Sequence, residues 1–243
     1  MNQSIKIAVI DSVPKIHWED DEGIRDGEKF VDLLSSQNSA AQFDIYYAAE
    51  NQLPARIDDY DGFMLTGSPA SVNDPFEWIS RLSAFIKMAN GQNKKIVASC
   101  FGHQLVAKTF GGMVGKNEEG WMIGNYPLAI SKTFGWMQPI ASETRIFHFN
   151  KERVTRLPEA AISFASCPAY RDFAYIIGDN ILCIQGHPEQ PLRAMNNFLT
   201  VCKDEIPAGE YLLALKMIDS GIPDASIWSE WMMHFFLESA MDH

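Results

Sequence analysis

The sequence predicts an α/β protein of three layers: a mostly parallel central sheet, helices on both faces, antiparallel strands at one edge, and a helical C-terminal extension. Three observations carry this. Up to about residue 110, apolar runs alternate with amphipathic stretches, the pattern of parallel strands joined by crossover helices. Residues 113–184 change to short strand-like runs separated by turns. Beyond residue 207 the chain is rich in Leu, Met, Trp and Phe, as two further helices would be. Residues 1–206 are expected to form one domain, with 207–243 packed on it.

In chain order, Ile5-Lys6-Ile7-Ala8-Val9-Ile10 reads as a buried strand. An acidic loop over 17–28 follows, and its run Glu19-Asp20-Asp21-Glu22 reads as a solvated surface. A helix over 27–37 puts Phe30, Leu33 and Leu34 on one face. Residues 43–47 and 61–65 read as strands, and 76–90 as an amphipathic helix with Phe76, Ile79, Leu82, Phe85 and Ile86 inward. A strand over 95–99 leads into a further helix. Strand-like runs follow at 113–116, 121–131, 143–149, 160–164, 170–177 and 181–185. Helices are expected over 191–204, 208–220 and 226–241. The stripe Trp228, Trp231, Phe235, Phe236 reads as internal packing, with a homodimer contact as the alternative.

With 47% apolar and 21% charged residues, the composition is that of a folded soluble domain. A net charge of −11 argues against nucleic acid or an anionic membrane as partner. No apolar run has the length of a membrane span, and the N-terminus runs straight into a strand, so a cytoplasmic location is expected. The four cysteines, Cys100, Cys167, Cys183 and Cys202, fit neither a zinc pattern nor a disulfide framework.

Three short signals could carry chemistry. The strand over 61–65 ends in Thr66-Gly67-Ser68-Pro69, a turn that could offer a backbone N–H to an oxyanion, or be only a turn. The run Ile96-Val97-Ala98-Ser99-Cys100-Phe101-Gly102-His103-Gln104 places Cys100 at a strand-to-helix corner. There a thiolate would face the helix N-terminus, although an inert buried thiol fits this stretch equally well. In Gln185-Gly186-His187-Pro188-Glu189, His187 and Glu189 are two apart in an extended segment, so the carboxylate can orient the imidazole.

Taken together and in this order, these residues resemble the class-I, triad-type glutamine amidotransferases. Glu119-Gly120-Trp121-Met122-Ile123-Gly124 is also similar to the Gly-Trp-x-x-Gly strand of members like the glutaminase part of GMP synthetase. The resemblance implies a Cys100 nucleophile, His187 as base and Glu189 as its orienter. It implies an oxyanion hole from the Gly67 and Phe101 N–H groups, and substrate contacts from Gln104 and from the backbone near Ser166 and Cys167. No metal or organic cofactor is implied. The substrate would be glutamine, hydrolysed through a γ-glutamyl thioester, with ammonia passed to a separate synthetase partner. A γ-glutamyl peptidase and a non-catalytic regulator are the alternatives. Two residues depart from the family pattern. Ala98 stands where glycine usually precedes the nucleophile by two, which predicts a slightly strained elbow. The segment His148-Phe149-Asn150-Lys151-Glu152-Arg153-Val154 lacks the family's aspartate, so no role passes to Asn150.

Overall fold

The computed structural model describes residues 4–17, 24–118, 120–168 and 170–238. The acidic run 19–22, Glu119 and the end of the last expected helix lie outside the described residues. Eleven strands and six α-helices follow one another among the described residues: β1 (Ile5–Asp11), α1 (Asp26–Ser35), β2 (Ala41–Tyr47), β3 (Gly62–Leu65), α2 (Glu77–Gly91), β4 (Lys95–Ser99), α3 (Phe101–Thr109), β5 (Met113–Lys116), β6 (Met122–Ile130), β7 (Glu143–Asn150), β8 (Glu152–Arg156), β9 (Ala161–Cys167), β10 (Tyr170–Ile177), β11 (Ile181–Ile184), α4 (Leu192–Val201), α5 (Ala208–Ile218) and α6 (Ala225–Leu237).

Nine strands form one sheet in the order β2-β1-β3-β4-β11-β10-β9-β6-β7. The first five run parallel, and each of the remaining neighbours is antiparallel. The expected mixed sheet is therefore present, with its antiparallel strands on one side. Three features depart from the sequence reading. Phe76, expected to face inward, precedes α2 as its N-cap and is half exposed, while the other four apolar residues named for that helix are buried. Strand β8 was not anticipated, and β5 joins it in a separate two-stranded ribbon instead of extending the main sheet.

The inner parallel strands β1, β3, β4 and β11 are largely apolar on both faces because both are covered, whereas β2 at the edge has no buried residue. Strand alternation sends Ile7, Val9, Met64, Val97, Leu182 and Ile184 to one layer, where Phe30 and Leu34 of α1 and the aromatic residues of α6 meet them. Ala8, Ile10, Phe63, Leu65, Ile96, Ala98 and Cys183 point the other way, onto Ile79, Leu82 and Phe85 of α2 and Leu105 and Val106 of α3. Trp228, Trp231, Phe235 and Phe236 are buried in the first layer, and each such side chain removed from water contributes about 1.5–3 kcal/mol. A third, smaller cluster joins α4 and α5 to Ile123 and Phe147 on β6 and β7. The Glu210 carboxylate of α5 accepts the Trp121 N–H at 2.7 Å, fixing that helix over the start of β6.

Candidate active site

Strands β3, β4 and β11 are consecutive in the sheet and parallel, so their carboxyl ends open at one place. Ligand sites in open α/β sheets form at such ends. The segments just beyond these three ends carry Gly67, Cys100 and His187, and the structure brings all three together. A Cβ built on Gly67 would lie 3.1 Å from His187 Cε1 and 3.6 Å from Cys100 Cβ. Backbone bonds hold the segments in place. The Cys100 N–H donates to Ile184 O at 2.9 Å, Gly102 N–H to Thr66 O at 3.1 Å, and His187 N–H to Phe147 O at 2.8 Å. The Ser99 hydroxyl ties β4 to the histidine loop by donating to Gly186 O at 2.8 Å.

Cys100 caps the N-terminus of α3 with φ 48° and ψ −104°, left-handed backbone that few non-glycine residues adopt. This conformation turns the chain sharply from strand into helix. Gly102 lets the elbow close: a Cβ there would meet Leu65 Cβ at 2.8 Å and Leu65 O at 3.0 Å. Phe101 holds the first helical position, where an N–H has no partner inside the helix. Neither its N–H nor that of Gly67 donates to another group among the described residues. Both are thus available to a developing oxyanion beside Cys100.

His187 Nδ1 and Glu189 Oε1 are 2.8 Å apart, and both residues are buried. Burial opposes charging of the imidazole. The facing Cys100 sulfur and the Glu189 carboxylate outweigh it and hold the His187 pKa well above its usual value. Thiol, imidazole and carboxylate therefore form a chain suited to moving one proton between sulfur and a leaving amine.

Behind Glu189 lies a second polar cluster. Gln190 Nε2 donates to Glu189 Oε1 at 3.2 Å and to Asp26 Oδ1 at 2.8 Å. The Lys29 ammonium donates to Asp26 Oδ1 at 3.1 Å and to Gln190 Oε1 at 2.9 Å. This ties the N-terminus of α1 to the site. Asp26, Lys29 and Gln190 were not expected from the sequence.

The site opens into a cavity of about 280 Å³. Cys100, Phe101, Gln104 and His187 line it together with the aromatic side chains of Trp121, Phe149 and Phe198. Both hydrogens of the Gln104 amide are used within the protein, one on Glu152 O at 2.9 Å and one on Gln185 Oε1 at 3.1 Å. Asn150 lines the cavity and donates to Glu152 O at 3.0 Å. Ser166 and Cys167 end β9 and pair with neighbouring strands, and neither lines the cavity. Among the described residues, no group of His, Cys, Asp and Glu is arranged to hold a metal ion.

Fold and site together define an α/β protein with a cysteine elbow, facing a histidine–carboxylate pair across the carboxyl ends of a mixed sheet. The chain belongs to the class-I glutamine amidotransferases, whose family model matches residues 32–201. It is 33% identical to Gamma-glutamyl peptidase 4 of Arabidopsis thaliana over 66% of each chain. It is 28% identical to Gamma-glutamyl peptidase 3 of the same plant, over 80% of this chain and 82% of the relative. Against the GMP synthase of Wolbachia pipientis wMel it is 27% identical, over 73% of this chain and 36% of that protein. The fold matches a glutamine amidotransferase structure from Thermotoga maritima with a TM-score of 0.75 at 17% identity, covering 97% of both chains. No helix among the described residues is long and apolar enough to cross a membrane.

Proposed function

We propose that this protein hydrolyses the γ-glutamyl amide bond of γ-glutamyl peptides or amides through a thioester on Cys100. The observation that carries this reading is the cavity, which Cys100 and His187 share with Trp121, Phe149 and Phe198. Its volume is close to the lower end of small-molecule sites, roughly 300–1,000 Å³. This leaves room for a leaving amine larger than ammonia. Similarity to proteins named γ-glutamyl peptidases supports the same reading.

In the proposed reaction, the Cys100 sulfur attacks the γ-carbonyl carbon as His187 takes the thiol proton. The Gly67 and Phe101 N–H groups receive the oxyanion, and one such donor is worth roughly 3–4 kcal/mol in the transition state. The C–N bond breaks, and His187 returns the proton to the departing amine. Water then attacks the thioester with His187 as base, releasing a glutamate carboxylate and the thiolate. Glu189 fixes the imidazole tautomer and balances its charge. Gln104, with its donors already engaged, meets substrate through its carbonyl oxygen.

A second reading keeps the same chemistry with glutamine as substrate and a separate synthetase to consume the ammonia. The similarity to GMP synthase favours it. Amine and ammonia release should be measured with glutamine and a panel of γ-glutamyl amides, with Cys100→Ala as control. Preferential cleavage of the larger amides is expected. Release from glutamine alone would support the second reading. A Cys100→Ala protein with full activity would remove Cys100 from both.

A further inference from the structure

We infer that Gln185 donates a hydrogen bond to the Cys100 sulfur and stabilises its thiolate, in an orientation locked by Tyr170 and Gln104. This inference rests on Cys100 being the nucleophile of the proposed reaction.

The contact itself is Gln185 Nε2 to Cys100 Sγ at 3.5 Å, in a fully buried position. An amide can be turned end for end, so the question is which end faces the sulfur. The surrounding groups settle it. The Val154 N–H can only donate, and it donates to the Tyr170 hydroxyl at 3.1 Å. That hydroxyl spends its own proton on Gln185 Oε1 at 2.8 Å. From the other side, Glu152 O can only accept, and it takes a proton from Gln104 Nε2 at 2.9 Å. The nitrogen end of Gln104 is thereby fixed, and its second proton reaches Gln185 Oε1 at 3.1 Å. Two donors converge on the oxygen of Gln185. Its NH₂ group must then face Cys100.

A neutral thiol gains little from such a donor, because sulfur is a weak acceptor. A thiolate gains more, since a hydrogen bond to a charged group is roughly twice as strong. The bond therefore favours the charged sulfur that attacks, and again the sulfur that leaves when the thioester is hydrolysed. Its effect on the uncharged thioester is small. Gln185 and His187 lie two residues apart in the bend that follows β11, and both side chains face Cys100. One short segment thus supplies both the base and a second donor to the nucleophile. Tyr170 and Gln104 hold Gln185 in this orientation and make no hydrogen bond to the sulfur among the described residues, which makes them positioning residues in this respect.

The test is the rate of Cys100 alkylation by iodoacetamide as a function of pH, located by mass spectrometry and read beside thermal melting. Gln185→Met keeps the side-chain length and removes the donor. Its alkylation at pH 7 is expected to be about tenfold slower, with the profile moved to higher pH. Tyr170→Phe removes one of the two locks and is expected to produce a smaller shift in the same direction. On a cleavable γ-glutamyl amide, kcat should fall in both variants with KM little changed. A cooperatively melting Gln185→Met protein whose profile overlays that of the parent would overturn the inference. If that variant does not melt cooperatively, an unchanged profile in Tyr170→Phe would overturn it instead. Alkylation needs no substrate. A shifted profile in a protein that cleaves no γ-glutamyl compound would sustain Gln185 as donor and remove only the substrate reading.

Discussion

Gly102 offers the sharpest probe of how the elbow is built. An alanine Cβ there would sit 2.8 Å from Leu65 Cβ and 3.0 Å from Leu65 O. Leu65 is the last residue of β3 and is paired on both sides, with Ile10 and Ala98, so it cannot retreat. The first turn of α3 must move instead, by about half an ångström, and overpacking of this kind costs about 1–3 kcal/mol. For a chain of this size each kcal/mol lowers Tm by roughly 2–4 °C, so a fall of about 5 °C is expected. The same movement stretches the Gly102 N–H to Thr66 O bond and draws the Phe101 N–H away from that of Gly67. Full loss of one oxyanion donor costs about 10²–10³ in rate, so partial displacement should lower kcat about ten- to a hundredfold. The assay is steady-state cleavage of a chromogenic γ-glutamyl anilide beside a thermal melt. Gly91→Ala serves as control, because a Cβ at the end of α2 meets nothing within 4 Å. It should stabilise the protein by about 0.5–1 kcal/mol. If Gly102→Ala melts with the parent and keeps kcat within about twofold, the steric account of the elbow is refuted.

Glu189→Gln should lower kcat by about 10³–10⁴, as expected when the orienting carboxylate of a triad is lost. The raised His187 pKa means that its share of stability is complete below the usual histidine range and is lost only as pH rises through the raised value; in Glu189→Gln alkaline titration of stability should begin at lower pH. Burial raises the Asp11 pKa to about 6, so the folded state holds a proton there that the unfolded chain gives up, and this group's contribution falls as pH rises from about 4 to 6. Asp11→Asn should remove that slope, measured as the difference between two urea-melt series. His148 behaves oppositely. Burial, with the His187 charge second, lowers its pKa to about 3, so its contribution is lost as pH falls from about 6.5 to 3. Both its ring nitrogens lack a partner among the described residues, and it packs on Phe173 and Tyr126. His148→Phe should therefore raise Tm most at pH 4–5, and an unchanged acid limb would count against this reading.

The parallel half of the sheet is legible because its inner strands are largely apolar on both faces, and even the edge strand β2 keeps the run Phe43, Ile45, Tyr46 and Tyr47. Strand β8 is not. In Glu152-Arg153-Val154-Thr155-Arg156 only Val154 is buried, so no alternation separates the strand from a polar loop. The ribbon it forms with β5 is fixed by register with distant residues, which local pattern does not encode. The site divides in the same way. Gly67, Cys100, His187 and Glu189 sit in short runs whose turn chemistry is local. The Asp26–Gln190 bond spans 164 positions and the Gln104–Gln185 bond 81, and neither could be read from one chain. Gln185 did carry a signal, its two-residue spacing from His187, but the spacing gains meaning only once Cys100 is seen opposite it. Only the family resemblance points to Ser166 and Cys167, and neither lines the cavity.

Ala98 bears on whether this scaffold is built for turnover or only for binding. Its methyl is buried in the α2–α3 layer, in register with Leu65 on β3 and Cys183 on β11. The unusual backbone falls two residues later, at Cys100, where a positive φ costs about 1–3 kcal/mol. Glu189 Oε2 is buried with no partner among the described residues, a further cost of about 1–3 kcal/mol. A protein that only bound ligands would gain stability by relaxing either feature. Here the strained backbone is held by contacts that also position the proposed base. The Cys100 N–H to Ile184 O bond and the Ser99 hydroxyl on Gly186 O fasten the strained cysteine to the segment that carries His187. Strain and the proposed base are therefore fixed together, and relaxing the elbow would also release the imidazole. This coupling is the physical argument for an active hydrolase over a silent relative on the same fold.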